Sequence, residues 1–521
     1  MDIPTKKHWS RIGFHPHKGF CLPLSALKTH NSCGIGEFLD LIPLIGWAQE
    51  IKVDIIQLLP LNDSDLDPSP YNPLSSKAFH PIYLSLKELP FLSSFRDLQN
   101  SLKSFTALNK TTSIEYRKVF EKKMDWLLAY YKETRDEWLQ DKDFIDFKDS
   151  QTWVEDYAIF KTLKQMYKGD AWWNWPLEWQ NPSVDLKKQF CQLNSDSIGF
   201  FSLLQYLCYK QLKQVKEKAL KHKVFIKGDI PILISKDSVD VWAKKDLFIL
   251  DLSVGAPPDQ YNSEGQYWGF PVPNYDNMKN EGFNWWKERI AWASLFYDIF
   301  RIDHVVGLFR LWAIPLNASS SQGFFLPKES DLWEKRGEEL LKIIIEASSM
   351  LPIAEDLGSI PQETKTCLAN FGICGTKVVR WERFWDKDKQ FIPFHLYPLL
   401  SVTCLSTHDS EPLGLWWING GEEVKEFAEF LGVNMKKELD VDTRLKILQK
   451  THQSRSLFQI NLIQEYLALF PDIHQKSAHQ DRINIPGVIS CDNWTYRLTP
   501  FLEELIKNTH IKETLKTLFD P

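Results

Sequence analysis

Short apolar runs, separated by longer amphipathic or polar stretches, recur along most of the chain. The segment IGEFLDLIPLIGWAQE at 35–50 has apolar residues at helical spacing and lies between two strand-like runs. A strand–helix–strand unit of this length pairs its strands in parallel. The pattern therefore predicts an α/β protein. The predicted strands are 19–27, 53–61, 223–230, 296–303, 351–355, 376–381 and 402–407.

Two stretches interrupt this alternation. Residues 90–200 are charged and helical in pattern, yet they carry too many aromatic residues for a disordered linker. Residues 421–470 also favour helices. We therefore expect one catalytic unit over 1–521, with an inserted helical subdomain at about 90–200 and loop insertions near 255–285 and 420–480.

Four apolar runs end in an acidic residue: KVFIKGD at Asp229, FYDIFRID at Asp303, LPIAED at Glu355 and VTCLSTHD at Asp409. A carboxylate at the end of a buried strand is unfavourable unless a site uses it. In a (β/α)8 barrel, the carboxyl ends of the strands line the active site. The pattern thus predicts a (β/α)8 TIM barrel with a pocket of carboxylates, the groups that cleave glycosidic bonds.

Arg301 precedes Asp303 by two residues on the same predicted strand, so both side chains can point into the barrel. A nearby cation favours the ionised carboxylate that a nucleophile needs. Asp303 is therefore the candidate nucleophile of a retaining reaction. The alternative is a purely structural ion pair in the core of the barrel.

Glu355 follows the apolar run LPIA and would face the other acids, which suits a general acid. Its neighbour Asp356 should point the other way, and it is a candidate N-cap of the next helix. His408 and Asp409 could hold two adjacent sugar hydroxyls. The alternative for this pair is an ordinary hydrogen-bonded turn.

Composition narrows the class of protein. The net charge of −6 argues against a nucleic-acid partner, and no apolar stretch suits a secretory signal or a membrane span. Eight scattered cysteines fit reduced thiols in the cytoplasm, and no metal-binding spacing occurs. The 21 tryptophans mostly predict a large aromatic core, although sugar rings also stack on indole.

Several longer strings occur in a fixed order: SPYNPLSSKAFHPIYLSL, WVEDYAIF, GDIPI, GAPPDQYNSEGQYWGFP, FRIDH, IAEDLG, THD and RINIPG…NWTYRL. With these motifs the chain resembles the 4-α-glucanotransferases called amylomaltase or disproportionating enzyme, in the α-amylase superfamily. The resemblance covers nearly the whole chain. It implies transfer of an α-1,4-glucan segment to the 4-hydroxyl of an acceptor by a retaining double displacement.

The resemblance also implies site residues. Asp303 matches the nucleophile, Glu355 the acid/base and Asp409 the carboxylate that stabilises the transition state. The implied substrate-binding residues are Tyr71, Ser69, Asp229, Asp259, Gln266, Trp268, Arg301 and His408, of which Asp259, Gln266 and Trp268 lie in a loop over the site. Its implied partners are maltodextrins, malto-oligosaccharides and glucose, with no metal, no cofactor and no membrane. We expect a monomer in the cytoplasm.

Two departures from the family pattern fall where acceptor sugars would bind. Many members carry WGNP where this chain has Trp268-Gly269-Phe270-Pro271, and many carry an aromatic pair where it has Gln260-Tyr261. Two rival functions also stay open. One is an α-glucan hydrolase of the same fold, which would give only shorter products from maltotriose. The other is a non-catalytic glucan-binding protein, against which the intact acids argue.

Overall fold

The computed structural model describes residues 3–258 and 263–520. Two sheets hold the named strands of this part of the chain: an eight-stranded parallel sheet and a four-stranded antiparallel sheet. In chain order the strands are β1 His17–Leu22, β2 Ile55–Leu58, β3 Phe225–Pro231, β4 Phe248–Ala256, β5 Gln266–Pro273, β6 Ile299–Asp303, β7 Leu311–Pro315, β8 Phe324–Leu326, β9 Leu351–Ala354, β10 Gly375–Val378, β11 Ser401–Cys404 and β12 Phe458–Leu462.

The larger sheet is the barrel, in the order β10-β11-β12-β1-β2-β3-β6-β9. Its two outer strands meet as well, because Ile353 and Cys374 form a parallel bridge and the Ala354 amide donates to the Cys374 carbonyl at 2.8 Å. The (β/α)8 fold predicted from the sequence is confirmed. All eight strands run parallel, so their carboxyl ends gather at one face.

Seven barrel strands fall on predicted strands, and the eighth was missed. β12 lies inside the region predicted to be helix-rich, so that prediction was wrong for 458–462. Its sequence FQINL alternates apolar and polar residues, and the polar ones are buried. The Asn461 Oδ1, for example, accepts a hydrogen bond from the Leu405 amide at 2.8 Å. A short strand whose polar residues are buried has no continuous apolar run to mark it.

The candidate N-cap role of Asp356 was also wrong. The following helix begins at Gln362, with Pro361 at the N-cap position. Asp356 instead accepts a hydrogen bond from the Thr376 amide of β10 at 2.6 Å, across the seam that closes the barrel. A Cβ on Gly375 would lie 2.4 Å from the Asp356 Oδ2, so this close approach requires glycine.

Helices surround the barrel and fill the long connections. They are α1 Lys6–Ile12, α2 Leu41–Glu50, α3 Arg96–Ser101, α4 Tyr116–Gln140, α5 Lys142–Ser150, α6 Trp153–Met166, α7 Leu177–Gln180, α8 Val184–Leu193, α9 Ser195–His222, α10 Val239–Ala243, α11 Tyr275–Asn280, α12 Asn284–Ala293, α13 Asp331–Glu346, α14 Gln362–Phe371, α15 Leu413–Asn419, α16 Gly421–Leu431, α17 Val441–His452, α18 Ile463–Leu467, α19 Pro471–His474, α20 Leu502–Lys507 and α21 Thr509–Phe519. Within the described residues, no helix is long and apolar enough to cross a membrane.

The connection between β2 and β3 is the largest and is helical over most of its length. α4 and α6 carry buried aromatic faces, including Trp126, Trp138 and Tyr157, and α6 packs along α9. Most tryptophans of this region therefore lie in the hydrophobic core, as predicted from their abundance in the sequence. We call α3–α8 the helical insert. Its treatment as a separate subdomain stays a prediction.

The antiparallel sheet, in the order β5-β4-β7-β8, lies between barrel strands β3 and β9 in sequence. Residues 266–273, predicted as part of a flexible loop, form strand β5 of a hairpin with β4. The chain turns through Gly265, whose φ of +71° is disfavoured for other residues and whose Cβ would lie 2.7 Å from the Ala256 carbonyl. Residues beyond this turn are thus held on a sheet.

Candidate active site

Arg301 lies at the centre of a cluster of acids at the carboxyl ends of β3, β6 and β9. One guanidinium nitrogen, Nη1, is 2.7 Å from the Asp303 Oδ1 and 2.7 Å from the Asp229 Oδ2. The other, Nη2, is 4.0 Å from the Glu355 Oε2. Asp229 and Arg301 are register partners on adjacent strands, which is why they meet. The structure thus brings together four residues predicted from their positions at or near strand ends.

Asp229 forms the buried floor of this cluster, with a side chain that is 0% exposed. The Tyr71 hydroxyl donates to its Oδ2 at 2.8 Å. Burial raises the pKa of Asp229 above its ordinary value, although the Arg301 charge acts in the opposite direction. Asp303, by contrast, keeps a quarter of its side chain exposed, so its carboxylate faces the open end of the barrel.

Backbone amides fix the carboxyl group of Glu355. The His304 amide donates to the Oε2 at 2.8 Å, and the Leu357 amide donates to the Oε1 at 2.9 Å. Since His304 directly follows Asp303, the first of these bonds ties the ends of β6 and β9 together. The two candidate catalytic carboxylates therefore lie at the carboxyl ends of neighbouring strands, at the same end of the barrel.

Asp409 follows β11 and lies beside His408, whose Nε2 is 3.3 Å from the Asp409 Oδ2. The Asn484 amide donates to the Oδ1 at 2.7 Å. Burial alone would raise the pKa of Asp409, but the His408 charge and the hydrogen bonds from His408 and Asn484 outweigh it and lower that pKa. This carboxylate is therefore held in its ionised form.

Three aromatic rings form one wall of the site. The Tyr71 and His408 rings stack with centroids 4.9 Å apart and planes at 11°. The Trp494 ring lies 5.7 Å from Tyr71 and 6.0 Å from His408. Ser69 belongs to the same loop as Tyr71, and its amide donates to the Asp67 carboxylate at 2.9 Å.

Strand β5 reaches the cluster from the antiparallel sheet. The Trp268 ring meets the His304 ring edge-to-face at 5.0 Å, and its indole nitrogen donates to the Gln266 Oε1 at 2.9 Å. Burial lowers the pKa of His304, against the pull of Glu355 and Asp303, so a neutral ring faces Trp268. Asp259 lies outside the described residues.

Asn484, Trp494 and His304 contact the site, yet the sequence did not single them out. Asn484 and Trp494 come from the tail string RINIPG…NWTYRL, which was noted only as a whole. A polar side chain in an irregular segment carries no periodic signal, so its place depends on the path of the chain. His304 could have been suspected, because it follows the acid that ends β6.

Comparison with known proteins identifies the family of this chain. The family described as 4-alpha-glucanotransferase, glycoside hydrolase family 77, matches residues 22–503. The 4-alpha-glucanotransferase of Chlamydia pneumoniae is 47% identical over 506 residues, 96% of this chain and 95% of the relative. That of Chlamydia caviae is 44% identical over 523 residues, 100% of this chain and 97% of the relative.

Among solved structures, amylomaltase from Streptococcus agalactiae in complex with acarbose superposes with a TM-score of 0.82 at 25% identity, covering 97% of this chain and 99% of that one. The family match spans barrel strands β2 to β12, the helical insert and the tail that supplies Asn484. The chain therefore belongs to the 4-alpha-glucanotransferases of glycoside hydrolase family 77, enzymes that transfer α-1,4-glucan segments.

Proposed function

We propose that Asp303 is the nucleophile and Glu355 the acid/base of a retaining double displacement on maltodextrins. The observation that carries this assignment is the position of Arg301, 2.7 Å from the Asp303 carboxylate and also close to Glu355. The guanidinium orients the Asp303 carboxylate through a charge-assisted hydrogen bond. The alternative of a purely structural ion pair is less favourable, because Asp303 is partly exposed at the open end of the barrel.

In the first step, an Asp303 oxygen attacks the anomeric carbon of the donor while Glu355 gives its proton to the glycosidic oxygen. The C1–O bond breaks, the shortened glucan leaves, and the remaining segment stays esterified to Asp303. In the second step, Glu355 removes the proton from the 4-hydroxyl of an acceptor, which attacks C1 and releases Asp303. Two inversions restore the α-configuration.

We assign the remaining residues to binding. Asp409, held ionised by His408 and Asn484, faces the hydroxyls of the reacting sugar and stabilises positive charge that develops at C1. Tyr71 presents its aromatic face to the same sugar, and its hydroxyl donates a hydrogen bond to Asp229. Malto-oligosaccharides are donors in this proposal, and glucose or a second glucan is the acceptor. The eight free cysteines suit a reducing cytoplasm.

Azide rescue of two alanine variants tests the roles of the two carboxylates. With α-glucosyl fluoride as donor, Glu355→Ala should still form the ester on Asp303, because fluoride leaves without a proton. Azide then attacks the ester and gives α-glucosyl azide. In Asp303→Ala, azide should enter the space of the lost carboxylate and give β-glucosyl azide. The same anomer from both variants would refute the assignment.

The product pattern from maltotriose tests the activity itself. Transfer yields glucose together with maltopentaose and longer chains, whereas hydrolysis yields only shorter sugars. We expect the longer chains from the wild-type protein, and their loss in Asp303→Asn by several powers of ten in rate. Circular dichroism of the variant checks that it is folded.

A further inference from the structure

The loop that carries Tyr71 is tethered to the helical insert through a buried ionic network. Residues 62–80, here called the 62–80 loop, leave β2 and close on themselves. Asn62 and Phe79 form an antiparallel bridge, and the Asp63 amide donates to the Ala78 carbonyl at 2.9 Å. The two ends of the loop are thus fixed to each other, and Asp63 lies at this closure.

The Asp63 carboxylate is fully buried, and its Oδ2 is bonded by groups of helix α6, while its Oδ1 accepts a hydrogen bond from the Asp65 amide of the loop. The Tyr157 hydroxyl donates to the Oδ2 at 2.7 Å, and the Lys161 Nζ lies 3.2 Å from the same oxygen. Lys161 also reaches the Asp65 Oδ2 at 2.7 Å. A buried carboxylate without such partners would be strongly unfavourable. Tyr157 lies in the WVEDYAIF motif, and Lys161 directly follows it. The proposed catalytic mechanism assigns no role to this motif.

Asp65 is the point where the loop changes direction. Its φ of +54° is a left-handed conformation that residues other than glycine seldom adopt. Its carbonyl accepts a hydrogen bond from the Tyr116 hydroxyl of α4 at 3.0 Å, and the His80 ring nitrogen Nε2 lies at the same distance. The insert therefore holds both the side chain and the backbone of a strained residue.

From Asp65 the chain runs directly into the site. Tyr71 follows six residues later, and its hydroxyl bonds Asp229, which in turn bonds Arg301. A shift of the loop by a fraction of an ångström would move this chain of contacts. Misplacement by about 1 Å can lower a catalytic rate by roughly a hundredfold.

We propose that Lys161 and Tyr157 of the helical insert are positioning residues, which set the place of Tyr71 at the sugar site by holding Asp63 and Asp65. This inference rests on the function proposed above, because it takes Tyr71 as a binding residue. It gives the insert a part in substrate binding. Burial alone would lower the pKa of Lys161, but Asp63 and Asp65 outweigh it and raise that pKa, so the lysine is a permanent cation in this network.

The same helix supplies a matched control. Lys164, three residues after Lys161, is also buried and bonds the Asp237 Oδ2 at 2.6 Å. Its partners lie outside the 62–80 loop. Lys161→Met and Lys164→Met therefore each remove one buried cation from α6, and they differ in whether the 62–80 loop loses its tether.

The test is steady-state kinetics of the full-length chain with maltotriose as donor, at a temperature where melting curves show each variant folded. We expect Lys161→Met to raise the donor KM about tenfold and to lower kcat/KM at least as much, whereas Lys164→Met stays within about twofold of wild type. Lys161→Arg should recover most of the loss. Tyr157→Phe, which removes a single hydroxyl, should raise KM about threefold and keeps the test valid if Lys161→Met does not fold.

Equal donor KM values for wild type, Lys161→Met and Tyr157→Phe would overturn the inference, and so would equal effects of Lys161→Met and Lys164→Met. Either result would leave the carboxylate roles intact, because azide rescue tests those roles with different variants. A failure of azide rescue would instead refute the carboxylate roles. The KM values of the Lys161 and Tyr157 variants would still show whether these residues affect donor binding.

Discussion

Asn484 shows how a single amide can set the charge state of a site. Its side chain donates to the Asp409 Oδ1 at 2.7 Å from a segment 75 residues further along the chain. Donation to a carboxylate favours the ionised form and lowers its pKa. In the proposed mechanism, ionised Asp409 stabilises positive charge on the sugar, so this amide would support the reaction through Asp409.

Asn484→Ala should therefore raise the pKa of Asp409 toward its ordinary value. A hydrogen bond to a charged group contributes about 1.5–3 kcal/mol, and one pKa unit corresponds to about 1.4 kcal/mol. We expect the acid limb of the kcat/KM profile to move about one unit to higher pH. Asn493→Ala is the control, since the Asn493 side chain accepts a hydrogen bond from the Ile485 amide and donates to the Ile485 and Val488 carbonyls, all in the same tail. Superimposable profiles for both variants would contradict the prediction.

The acids of the site were predictable because the rule that places them is local. Asp229, Asp303 and Glu355 each end an apolar strand, and strand ends meet at one face of a barrel. Asn484 and Trp494 were not predictable, because nothing within the tail indicates which barrel loop it passes. Asp356 was assigned wrongly, since its partner Thr376 lies on the strand that closes the barrel.

At the level of elements, the seam between β9 and β10 closes the barrel through an isolated parallel bridge between Ile353 and Cys374. The Thr376 amide and hydroxyl donate to Asp356 and to the Ala354 carbonyl, respectively, on either side of the proposed acid/base Glu355. Gly375 has no side chain, and the Asp356 carboxylate occupies the space where one would lie. Packing at this seam therefore affects the position of Glu355.

Gly375→Ala should disturb both stability and catalysis. Its Cβ would lie 2.4 Å from the Asp356 Oδ2, and overpacking of this kind costs about 1–3 kcal/mol. We expect chemical denaturation to show this decrease in the free energy of unfolding, and steady-state kinetics to show a lower kcat. Gly46→Ala is the control, because its Cβ would meet nothing within 4 Å on helix α2 and should stabilise by about 0.5–1 kcal/mol. A wild-type kcat for Gly375→Ala would contradict the link between seam and acid/base.

Strand β5 provides the second element-level prediction. Trp268 covers His304 beside the proposed nucleophile Asp303, and we expect it to exclude water from the ester formed there. Trp268→Ala should therefore raise the fraction of maltotriose that is hydrolysed. The expected change is about threefold or more, measured as glucose release against total bond cleavage.

Tyr267→Ala is the matched control for Trp268→Ala. Tyr267 is the preceding residue on β5 and is half exposed, and adjacent strand residues point to opposite faces. It should leave the product ratio unchanged. If both variants are less stable but keep the wild-type ratio of hydrolysis to transfer, the role of Trp268 is limited to packing of the hairpin.

For the whole molecule, the interior of the barrel holds a lysine whose charge opposes folding. Lys227 on β3 is buried, and its Nζ donates to the Gln57 Oε1 at 2.8 Å. Burial lowers the pKa of Lys227 to about 8, below its ordinary value of 10.5. The unfolded chain therefore binds the proton more tightly than the folded protein does, and between these two values stability should increase with pH.

Lys227→Met tests this linkage. The variant lacks the titrating group, so its advantage in unfolding free energy over wild type should be greatest below pH 8. That advantage should shrink by about 3 kcal/mol between pH 8 and 10.5, because one pKa unit corresponds to about 1.4 kcal/mol. Denaturant titrations at several pH values measure both proteins. Parallel stability curves would show that Lys227 does not titrate in this range.

The barrel as a whole was predictable because seven of its strands are apolar runs ending near polar or acidic residues. The hairpin β4–β5 and strand β12 were not, since neither carries a continuous apolar run. β5 is largely exposed at its start, and the polar residues of β12 are buried, with the Asn461 side chain accepting a hydrogen bond from the Leu405 amide after β11. A prediction based on hydrophobicity alone therefore misses strands whose polar residues are buried.

The pairing of β1 with β12 also has a consequence for synthesis on the ribosome. Lys18 on β1 bonds the His452 carbonyl, 434 residues further along the chain, next to the strand that β1 pairs with. At about 5–20 residues per second, roughly 20 to 90 s of translation separate the two. During that time β1 has an unpaired edge, so the nascent chain exposes a binding site for chaperones well before it can bind sugar.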